Sequence, residues 1–403
     1  MAEFSSRMEN MKATSKIVAN LFEYVTDPEV IAFSIGSPSK DVIPIDKIRE
    51  IMDDVITYEA RGTEALNYGP ILGIDDLHKI IAEELLVSRG IKDADPENIL
   101  ITVGGLEGIN LLSQIVTSPG DTILVESPTF IQAAQIFDMF ELNMIPVEIL
   151  EDGIDVVDLE EKIKKYKPKM LYTVPTFQNP TGITTSLEKR KKVAELANKY
   201  EMFVLEDDPY REIRYSGEDL APIKSFDTNG YVVYANSFSK IFSPGMRLGY
   251  VYASKEIIGH MWNVKLATNS HTAILSQVLA AEFFKRGYYE EHREMLCDFY
   301  RERRDAMCES IDEFFPEGSK RTSPDGGLFV WIELPEGINT SELQDEARFT
   351  PGVKVMYLPG ELCYPRGDEN MKTNCLRLTF GAFPPDVIRE GVKRLGDFLK
   401  AQY

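Results

Sequence analysis

The sequence predicts an α/β fold built on a mostly parallel sheet of seven strands. Short apolar runs alternate with amphipathic helical patterns through the middle of the chain, as is typical of a parallel sheet covered by helices on both faces. The seven runs span residues 99–103, 122–126, 144–149, 169–174, 202–206, 231–235 and 248–252. Ligands of such sheets bind at the carboxyl ends of the strands, so the functional residues are sought there.

The helical patterns complete this architecture. A helix is predicted over Leu187–Tyr200, because Val193, Leu196 and Ala197 repeat on one stripe. The last hundred residues change character, with a long charged helix at about 288–315, a β-like run at 326–334 and an amphipathic helix from about Pro385. We therefore predict a large domain over residues 46–290 and a small α+β domain formed by residues 1–45 together with 291–403.

Composition excludes several classes of protein. The 403 residues contain 44 Lys and Arg against 65 Asp and Glu, a net charge of −21, which argues against nucleic acid and anionic membrane as partners. The first residues lack the apolar core of a signal peptide, and no run of apolar residues is long enough to span a bilayer. Four scattered cysteines predict free thiols in a reducing cytoplasm, and His and Cys do not cluster as zinc ligands do.

A reactive lysine is indicated at Lys240. It follows the apolar run 231–235 and stands among the hydroxyls of Ser237 and Ser239, with Arg247 seven residues on. Such an amine forms a Schiff base with an aldehyde once burial or nearby cations lower its pKa. The hydroxyls and the guanidinium suit a phosphate ester. Together they indicate a site for pyridoxal 5'-phosphate (PLP), although a surface lysine in a serine-rich loop is the commoner explanation for this segment taken alone.

Two glycine-containing turns follow other strands. Gly104, Gly105 and Leu106 open the helix after the first strand, where backbone N–H groups and the helix dipole favour an anion. A plain tight turn is the alternative. Asn179, in Gln-Asn-Pro-Thr-Gly at 178–182, offers a donor and an acceptor to a ligand. The same residues also suit a β-turn.

Four further side chains at or near the predicted strands are candidates for ligand contacts. Asp207 is a carboxylate at a strand end, costly to bury without a cation such as a protonated pyridine nitrogen, and Tyr210 could bond that ring's phenolic oxygen. A metal site or a helix N-cap is the alternative for the acidic run Glu206, Asp207 and Asp208. Phe130 could stack on a flat ring or belong to the core. Arg377, between Leu376 and Leu378, suits a carboxylate or a structural salt bridge.

Taken in order, these motifs resemble the fold-type I PLP-dependent aminotransferases. Within them the chain is similar to the class I/II branch that contains the kynurenine/2-aminoadipate aminotransferases. The resemblance covers nearly the whole chain and rests on IAFSIGSPSKDVIP (31–44), LNYGPILG (66–73), QNPTG (178–182), EDDPY (206–210), SFSKIFSPGMRLGY (237–250), PDGGLFVW (324–331) and CLRLTF (375–380).

The resemblance implies a role for each catalytic residue. Lys240 would bind the cofactor's aldehyde and then move the proton between the substrate Cα and the cofactor. Asp207 would pair with the pyridine nitrogen, and Tyr210 and Asn179 would bond the ring oxygen. Phe130 would stack on the ring.

It also implies how phosphate and substrate are bound. The phosphate would contact Ser237, Ser239, Arg247 and the backbone at Gly104, Gly105 and Leu106. Tyr68 would reach the phosphate of the neighbouring subunit's cofactor, which implies a homodimer with shared sites. Arg377, with Asn179 and the backbone of Gly36, would bind the substrate α-carboxylate.

Two departures affect these expectations. Close relatives usually have Gly-Ser-Gln where this chain has Gly104-Gly105-Leu106, so PLP is expected to bind through backbone donors, less tightly. The N-terminal segment that covers the substrate in this branch has Ile17, Val18 and Ala19 and no arginine, with only Lys12 and Lys16 basic nearby. This composition favours donors with apolar or aromatic side chains.

The activity implied is transfer of an amino group from an L-amino acid to a 2-oxo acid, with 2-oxoglutarate the expected acceptor, by a PLP ping-pong mechanism in the cytoplasm. A PLP-dependent cysteine-conjugate β-lyase is the alternative on the same scaffold. A PLP-binding regulator would carry a DNA-binding domain, which we do not expect for this strongly acidic chain. A phosphosugar- or nucleotide-binding protein would leave Lys240 and Asp207 without roles.

Overall fold

The structure is a computed structural model and describes residues 4–5, 7–8 and 29–402. Its strands there are β1 (Ile31–Ala32), β2 (Ile99–Thr102), β3 (Thr122–Ser127), β4 (Asn143–Leu150), β5 (Gly153–Ile154), β6 (Met170–Thr173), β7 (Phe203–Asp207), β8 (Val232–Ser237), β9 (Gly249–Tyr252), β10 (Lys320–Arg321), β11 (Phe329–Glu333), β12 (Val355–Met356), β13 (Leu358–Pro359) and β14 (Cys375–Thr379). The longest of them build one large sheet.

The α-helices over the same residues are α1 (Ile45–Thr57), α2 (Glu59–Leu66), α3 (Asp75–Ile80), α4 (Gly105–Val116), α5 (Ile131–Met139), α6 (Val156–Tyr166), α7 (Leu187–Tyr200), α8 (Lys255–Thr268), α9 (Ile274–Lys285), α10 (Tyr288–Phe314), α11 (Thr340–Phe349) and α12 (Pro385–Ala401). The predicted helices at 187–200, at about 288–315 and from Pro385 are confirmed. None of the described helices is both long and apolar enough to cross a bilayer.

The large sheet has the strand order β2-β9-β8-β7-β6-β3-β4-β5. Strands β4, β3, β6, β7 and β8 run parallel, and β9 is antiparallel to both β2 and β8. All seven predicted strands are confirmed. The sheet has eight strands rather than seven, because the two residues of β5 fold back on β4. A strand this short leaves no apolar run in the sequence.

Burial explains why the central strands were visible in the sequence. Every residue of β2, β6, β8 and β9 is buried, since helices cover both faces of the sheet. β4 lies near the edge and is only partly buried, so its pattern is weaker. The carboxyl ends of the adjacent strands β6, β7 and β8 come together at one edge of the sheet.

Two smaller sheets complete the fold. β10, β11, β14 and β13 form an antiparallel sheet in that order, and β1 pairs in parallel with β12. The register Ile31↔Val355 therefore places the first strand of the described residues beside the C-terminal third of the chain. In the four-stranded sheet Arg377 pairs with Trp331 on one side and Leu358 on the other, which aligns β14 next to the site described below.

Candidate active site

Lys240 lies just beyond the carboxyl end of β8 and reaches into a cavity of about 170 Å³. Its Nζ donates a hydrogen bond to the carbonyl oxygen of Gly36 at 2.9 Å and lies 5.7 Å from the centre of the Tyr210 ring. Burial lowers the pKa of the Lys240 amine to about 8, and the charges of Arg377 and Arg247 act in the same direction. A lysine at this pKa is partly neutral near physiological pH and is therefore nucleophilic.

Asp207 ends β7 and is buried. Its Oδ2 accepts a hydrogen bond of 2.9 Å from the hydroxyl of Tyr172, and no described residue donates to its Oδ1. Burial raises the pKa of the Asp207 carboxyl to about 7. The Tyr172 hydrogen bond lowers that pKa, whereas the charges of Asp208 and Glu126 raise it. The carboxyl consequently has one oxygen available to a cation-bearing ligand, which would restore its ionised form.

Tyr210, Asn179 and Arg377, which also line the cavity, form a connected group. Nη1 of Arg377 donates to Oδ1 of Asn179 at 2.8 Å, and the Asn179 side chain also bonds the hydroxyl of Tyr210. Nη2 of Arg377 donates to the carbonyl of Ser34. The buried Nε has no partner, and burial lowers the pKa of this guanidinium. Arg377 is therefore a buried cation with no carboxylate partner among the described residues, so the salt-bridge alternative has no acid there.

The residues predicted to hold a phosphate also lie together. Gly104 adopts φ +70°, and a Cβ placed on it would lie 2.5 Å from Nη2 of Arg247. A Cβ placed on Gly105 would lie 3.7 Å from Cβ of Ser237 and 3.9 Å from Oδ1 of Asp207. The start of α4, the Ser237 hydroxyl and the Arg247 guanidinium thus surround one small space.

The polar side chains around that space make few hydrogen bonds to other described residues. Ser237 donates to Ser239 Oγ at 2.9 Å, and the guanidinium of the exposed Arg247 makes only 3.4 Å contacts with two backbone carbonyls. Leu106 turns its side chain against the hydrophobic core, so only its backbone N–H faces the turn. Two hydroxyls, a guanidinium and the N–H groups of a helix start are the donors that a phosphate ester requires.

Six of the fourteen predicted site residues line the cavity, together with seven that were not predicted. Gly36, Phe130, Asn179, Tyr210, Lys240 and Arg377 line it as expected. The additional lining residues are Ser34, Ile35, Ser37, Ile131, Gln132, Phe329 and Leu358. Most of these resemble ordinary core or loop residues, and only the register of the flanking strands shows that they face the site. Phe329 matters most, since its ring lies 4.4 Å beneath the Arg377 guanidinium.

Tyr68 stands apart from this cavity. Its side chain is 90% exposed, and its ring makes an edge contact with His271 at 5.8 Å between centroids. The position agrees with a residue that acts outside its own subunit. The N-terminal residues predicted to cover the substrate, including Lys12, Lys16, Ile17, Val18 and Ala19, lie outside the described residues.

The groups present fit pyridoxal phosphate. The amine of Lys240 suits its aldehyde, the open Oδ1 of Asp207 suits its pyridinium, and the donors around Gly104 suit its phosphate. The described residues contain no group of three or more His, Cys, Asp and Glu side chains arranged to hold a metal ion.

Comparison with known proteins decides the family. The model of aminotransferase class I and II matches residues 28–395. The chain belongs to this family. It is a PLP-dependent transaminase of fold type I, as the resemblance predicted. The aromatic-amino-acid aminotransferase 1 of Thermococcus litoralis is 36% identical over 99% of this chain and 94% of its own.

Solved aminotransferases have the same fold. The kynurenine aminotransferase of Pyrococcus horikoshii, determined in complex with PMP, is 37% identical with a TM-score of 0.92, covering 99% of this chain and 97% of its own. The alpha-aminoadipate aminotransferase of Thermus thermophilus, complexed with N-(5'-phosphopyridoxyl)-L-leucine, is 30% identical with a TM-score of 0.88 over 99% and 97%. The aminotransferase described here therefore uses pyridoxal phosphate to move amino groups.

Proposed function

We propose that this aminotransferase moves the amino group of an L-amino acid with an apolar or aromatic side chain to 2-oxoglutarate by a ping-pong mechanism. The observation that supports it most is the single cavity lined by both Lys240 and Arg377, whose buried Nε has no hydrogen-bond partner among the described residues. Lys240 would move the proton on the carbon that bears the substrate amine, and Arg377 would bind the carboxylate attached to that carbon. An α-amino acid has both features on adjacent atoms.

PLP, when bound, supplies an aldehyde that reacts with amines and a pyridinium ring that withdraws electrons from the substrate Cα. Lys240 binds the cofactor between turnovers and, once released by the substrate amine, moves the proton at the substrate Cα. Its lowered pKa suits both tasks. Asp207 keeps the pyridine nitrogen protonated, and Tyr210 and Asn179 bond the ring oxygen.

Binding residues position the two ends of the reacting pair. Arg377 binds the substrate carboxylate through its fork, with Asn179 holding one of its nitrogens in place. Phe130 covers the cofactor ring. The phosphate is held by Arg247 and Ser237, by the Ser239 hydroxyl, and by the N–H groups at Gly104, Gly105 and Leu106.

The cavity wall supports the proposed side-chain preference. Its apolar residues are Ile35, Phe130, Ile131, Phe329 and Leu358. Among the described lining residues the cations are Lys240 and Arg377, and both already have roles. A second carboxylate on the donor would lack a cation there, which is costly, whereas burying an apolar or aromatic side chain contributes about 1.5–3 kcal/mol. The aromatic substrate class in the name of the Thermococcus litoralis relative agrees with this preference.

Glutamate must nevertheless fit, since it forms whenever 2-oxoglutarate accepts an amino group. Gln132 lines the cavity, and its amide can donate to the second carboxylate of glutamate without demanding one on other substrates. We therefore expect one cavity to accept both kinds of substrate. The Gln132 amide would bond an acidic side chain, and the apolar wall would contact apolar and aromatic side chains.

Half-reactions test this proposal. Phenylalanine, leucine, methionine, kynurenine, 2-aminoadipate and aspartate are each mixed with the holoenzyme, and loss of the cofactor's aldehyde absorbance is followed. 2-Oxoglutarate should then restore the absorbance, as a ping-pong mechanism requires. A higher kcat/KM for 2-aminoadipate or aspartate than for every apolar and aromatic donor would refute the side-chain preference. Release of ammonia and pyruvate from a cysteine conjugate without an oxo acid would favour the β-lyase.

We further propose a cytoplasmic homodimer in which Tyr68 contacts the partner's cofactor phosphate. Exposed apolar side chains near it, including Tyr58 and Leu66, support a contact with a second copy. The free, buried cysteines agree with a reducing compartment. Mixing Lys240→Ala chains with Tyr68→Ala chains should yield one intact site per heterodimer if sites are shared. A fully active monomer by light scattering would contradict the dimer.

The domain division is proposed with the same function in view. Residues 46–290 would form the large domain, and residues 1–45 with 291–403 the small one. The pairing of β1 with β12 supports grouping the two ends of the chain. Under this division Arg377 belongs to the small domain and Lys240 to the large one, so substrate would bind between them.

A further inference from the structure

A buried tyrosine stands directly behind Asp207. Tyr172 lies in β6, the strand next to β7, and its hydroxyl donates to Oδ2 of Asp207 at 2.9 Å. Neither its ring nor its hydroxyl faces the cavity around Lys240, whose lining residues do not include it. Tyr172 is fully buried, and its ring makes an edge contact with the equally buried Phe137 at 5.5 Å between centroids.

We propose that Tyr172 is a positioning residue for the cofactor, because it pins one oxygen of Asp207 and thereby aims the other at the pyridine nitrogen. This inference rests on the proposed role of Asp207 as the partner of that nitrogen. Tyr172 touches neither the cofactor nor the substrate in this scheme. It acts only through the carboxyl that it holds.

The Tyr172 hydroxyl donates to no described side chain other than Asp207. Glu126 is the other buried carboxyl close by, but its oxygens accept from Thr173, from the backbone of Val174 and from Gln178. Asp207 is thus the side chain to which the Tyr172 hydroxyl donates among the described residues. Burial raises the pKa of Tyr172 well above its usual value, so the hydroxyl remains a proton donor at any working pH.

The orientation of Asp207 depends on this contact. Its Oδ1 faces the first turn of α4, 3.9 Å from where a Cβ on Gly105 would lie. The charges of Asp208 and Glu126 oppose ionisation of Asp207, and the Tyr172 hydroxyl favours it. Without that hydroxyl, the ion pair with a pyridinium would form on a carboxyl that is both harder to ionise and free to rotate.

The same strand end offers a matched control. Asp208 follows Asp207 in the chain and turns away from it, so that its Oδ2 accepts from Tyr234 at 3.0 Å and from Arg211 at 2.6 Å. Tyr234 lies in β8, on the other side of β7, and is also fully buried. Tyr234→Phe therefore removes a buried hydroxyl that donates to a neighbouring aspartate, but one outside the proposed cofactor site.

The experiment compares two cofactors on the cofactor-free protein. Dissociation constants are measured for PLP and for its analogue with carbon in place of the ring nitrogen. Tyr172→Phe should weaken PLP about tenfold and leave the carbon analogue within about twofold, as expected for one hydrogen bond to a charged group. Tyr234→Phe should leave the ratio of the two constants unchanged.

A second packing variant separates positioning from folding. Phe137→Leu disturbs the packing of the Tyr172 ring and keeps its hydroxyl, so it should lower the unfolding midpoint without changing the ratio. Equal weakening of both cofactors by Tyr172→Phe, or no weakening of either, would overturn the positioning role. If the wild-type protein itself binds both cofactors equally, the proposed role of Asp207 fails, and that outcome is distinguishable from the first.

Discussion

Arg377 and Asn179 are joined by a hydrogen bond of 2.8 Å between Nη1 and Oδ1, although 198 positions separate them in the chain. The contact links β14 of the four-stranded sheet to the turn that follows β6 of the large sheet. A residue proposed to bind substrate is thereby held by a residue proposed to bind the cofactor. Four predictions follow from this arrangement and from those around it.

Replacing Arg377 should affect substrates and spare the cofactor. Arg377→Ala removes the fork that binds the carboxylate, so KM for donors and for oxo acids should rise together by about 100-fold, the scale of hydrogen bonds to a charged group. Arg377→Lys keeps the charge but loses bidentate geometry and should recover only part of this. The Kd for PLP should stay within about twofold. Loss of PLP with unchanged KM would instead assign Arg377 a structural role.

Lys240 should be the residue that carries the cofactor. The purified protein should be yellow, and borohydride reduction followed by peptide mapping should place the label on the peptide containing Lys240. Lys224 serves as a control lysine. Its amine bonds Asp227 and the carbonyl of Val232, and it does not line the cavity. Label on Lys224 or on any other lysine would exclude the assignment.

Asp207 should destabilise the cofactor-free protein as pH rises. Its pKa is 3.8 in the unfolded reference and about 7 when folded, so the folded state holds a proton that the unfolded state has lost between those values. Stability should therefore fall through this window at about 1.4 kcal/mol per pH unit for full occupancy and level off above pH 7.

Asp207→Asn removes this titration and keeps an acceptor for Tyr172. Relative to the wild-type protein, the variant should gain about 3 kcal/mol between pH 5 and pH 8 in denaturant unfolding without cofactor. With amino donor and PLP present, its turnover should fall by several orders of magnitude, because the pyridine nitrogen loses its anionic partner. A gap in stability that does not change with pH would mean that Asp207 is not the titrating group.

The two glycines before α4 should respond in opposite ways to substitution. A serine side chain at Gly105 fits, since its Cβ would make ordinary contacts of 3.7 Å and 3.9 Å. Its hydroxyl restores the donor that close relatives have, so Gly105→Ser should tighten PLP about tenfold.

Gly104→Ala should weaken PLP, because φ is +70° there and the new methyl group would meet the Arg247 guanidinium at 2.5 Å. Both variants are compared by equilibrium dialysis of the cofactor. Weaker binding by Gly105→Ser would show that the turn has no room for a side chain when the phosphate is present.

The strands and most of the site could be predicted from the sequence for a physical reason. Strands buried on both faces require continuous apolar runs, and polar residues at their ends stand out against those runs, as Asp207 does at the end of β7. Tyr172, Phe329 and Leu358 could not be identified this way. They lie inside apolar strands, and only strand register turns them toward Asp207 or the cavity. The two-residue β5 is set by its pairing with β4, which no local pattern records.

The backbone carbonyls of Ser34 and Gly36 bond the two cations to which we assign roles in cofactor and substrate binding. The Ser34 carbonyl accepts from Arg377, and the Gly36 carbonyl accepts from Lys240. This segment continues from β1, which is anchored to β12 at the far end. Under these roles, the cofactor would displace the Gly36 carbonyl from Lys240, and the substrate carboxylate would displace the Ser34 carbonyl from Arg377. The affinity for each ligand would then reflect its new hydrogen bonds minus the carbonyl hydrogen bond that it replaces. Weakening the pairing of β1 with β12 should therefore raise the affinity for cofactor and for substrate.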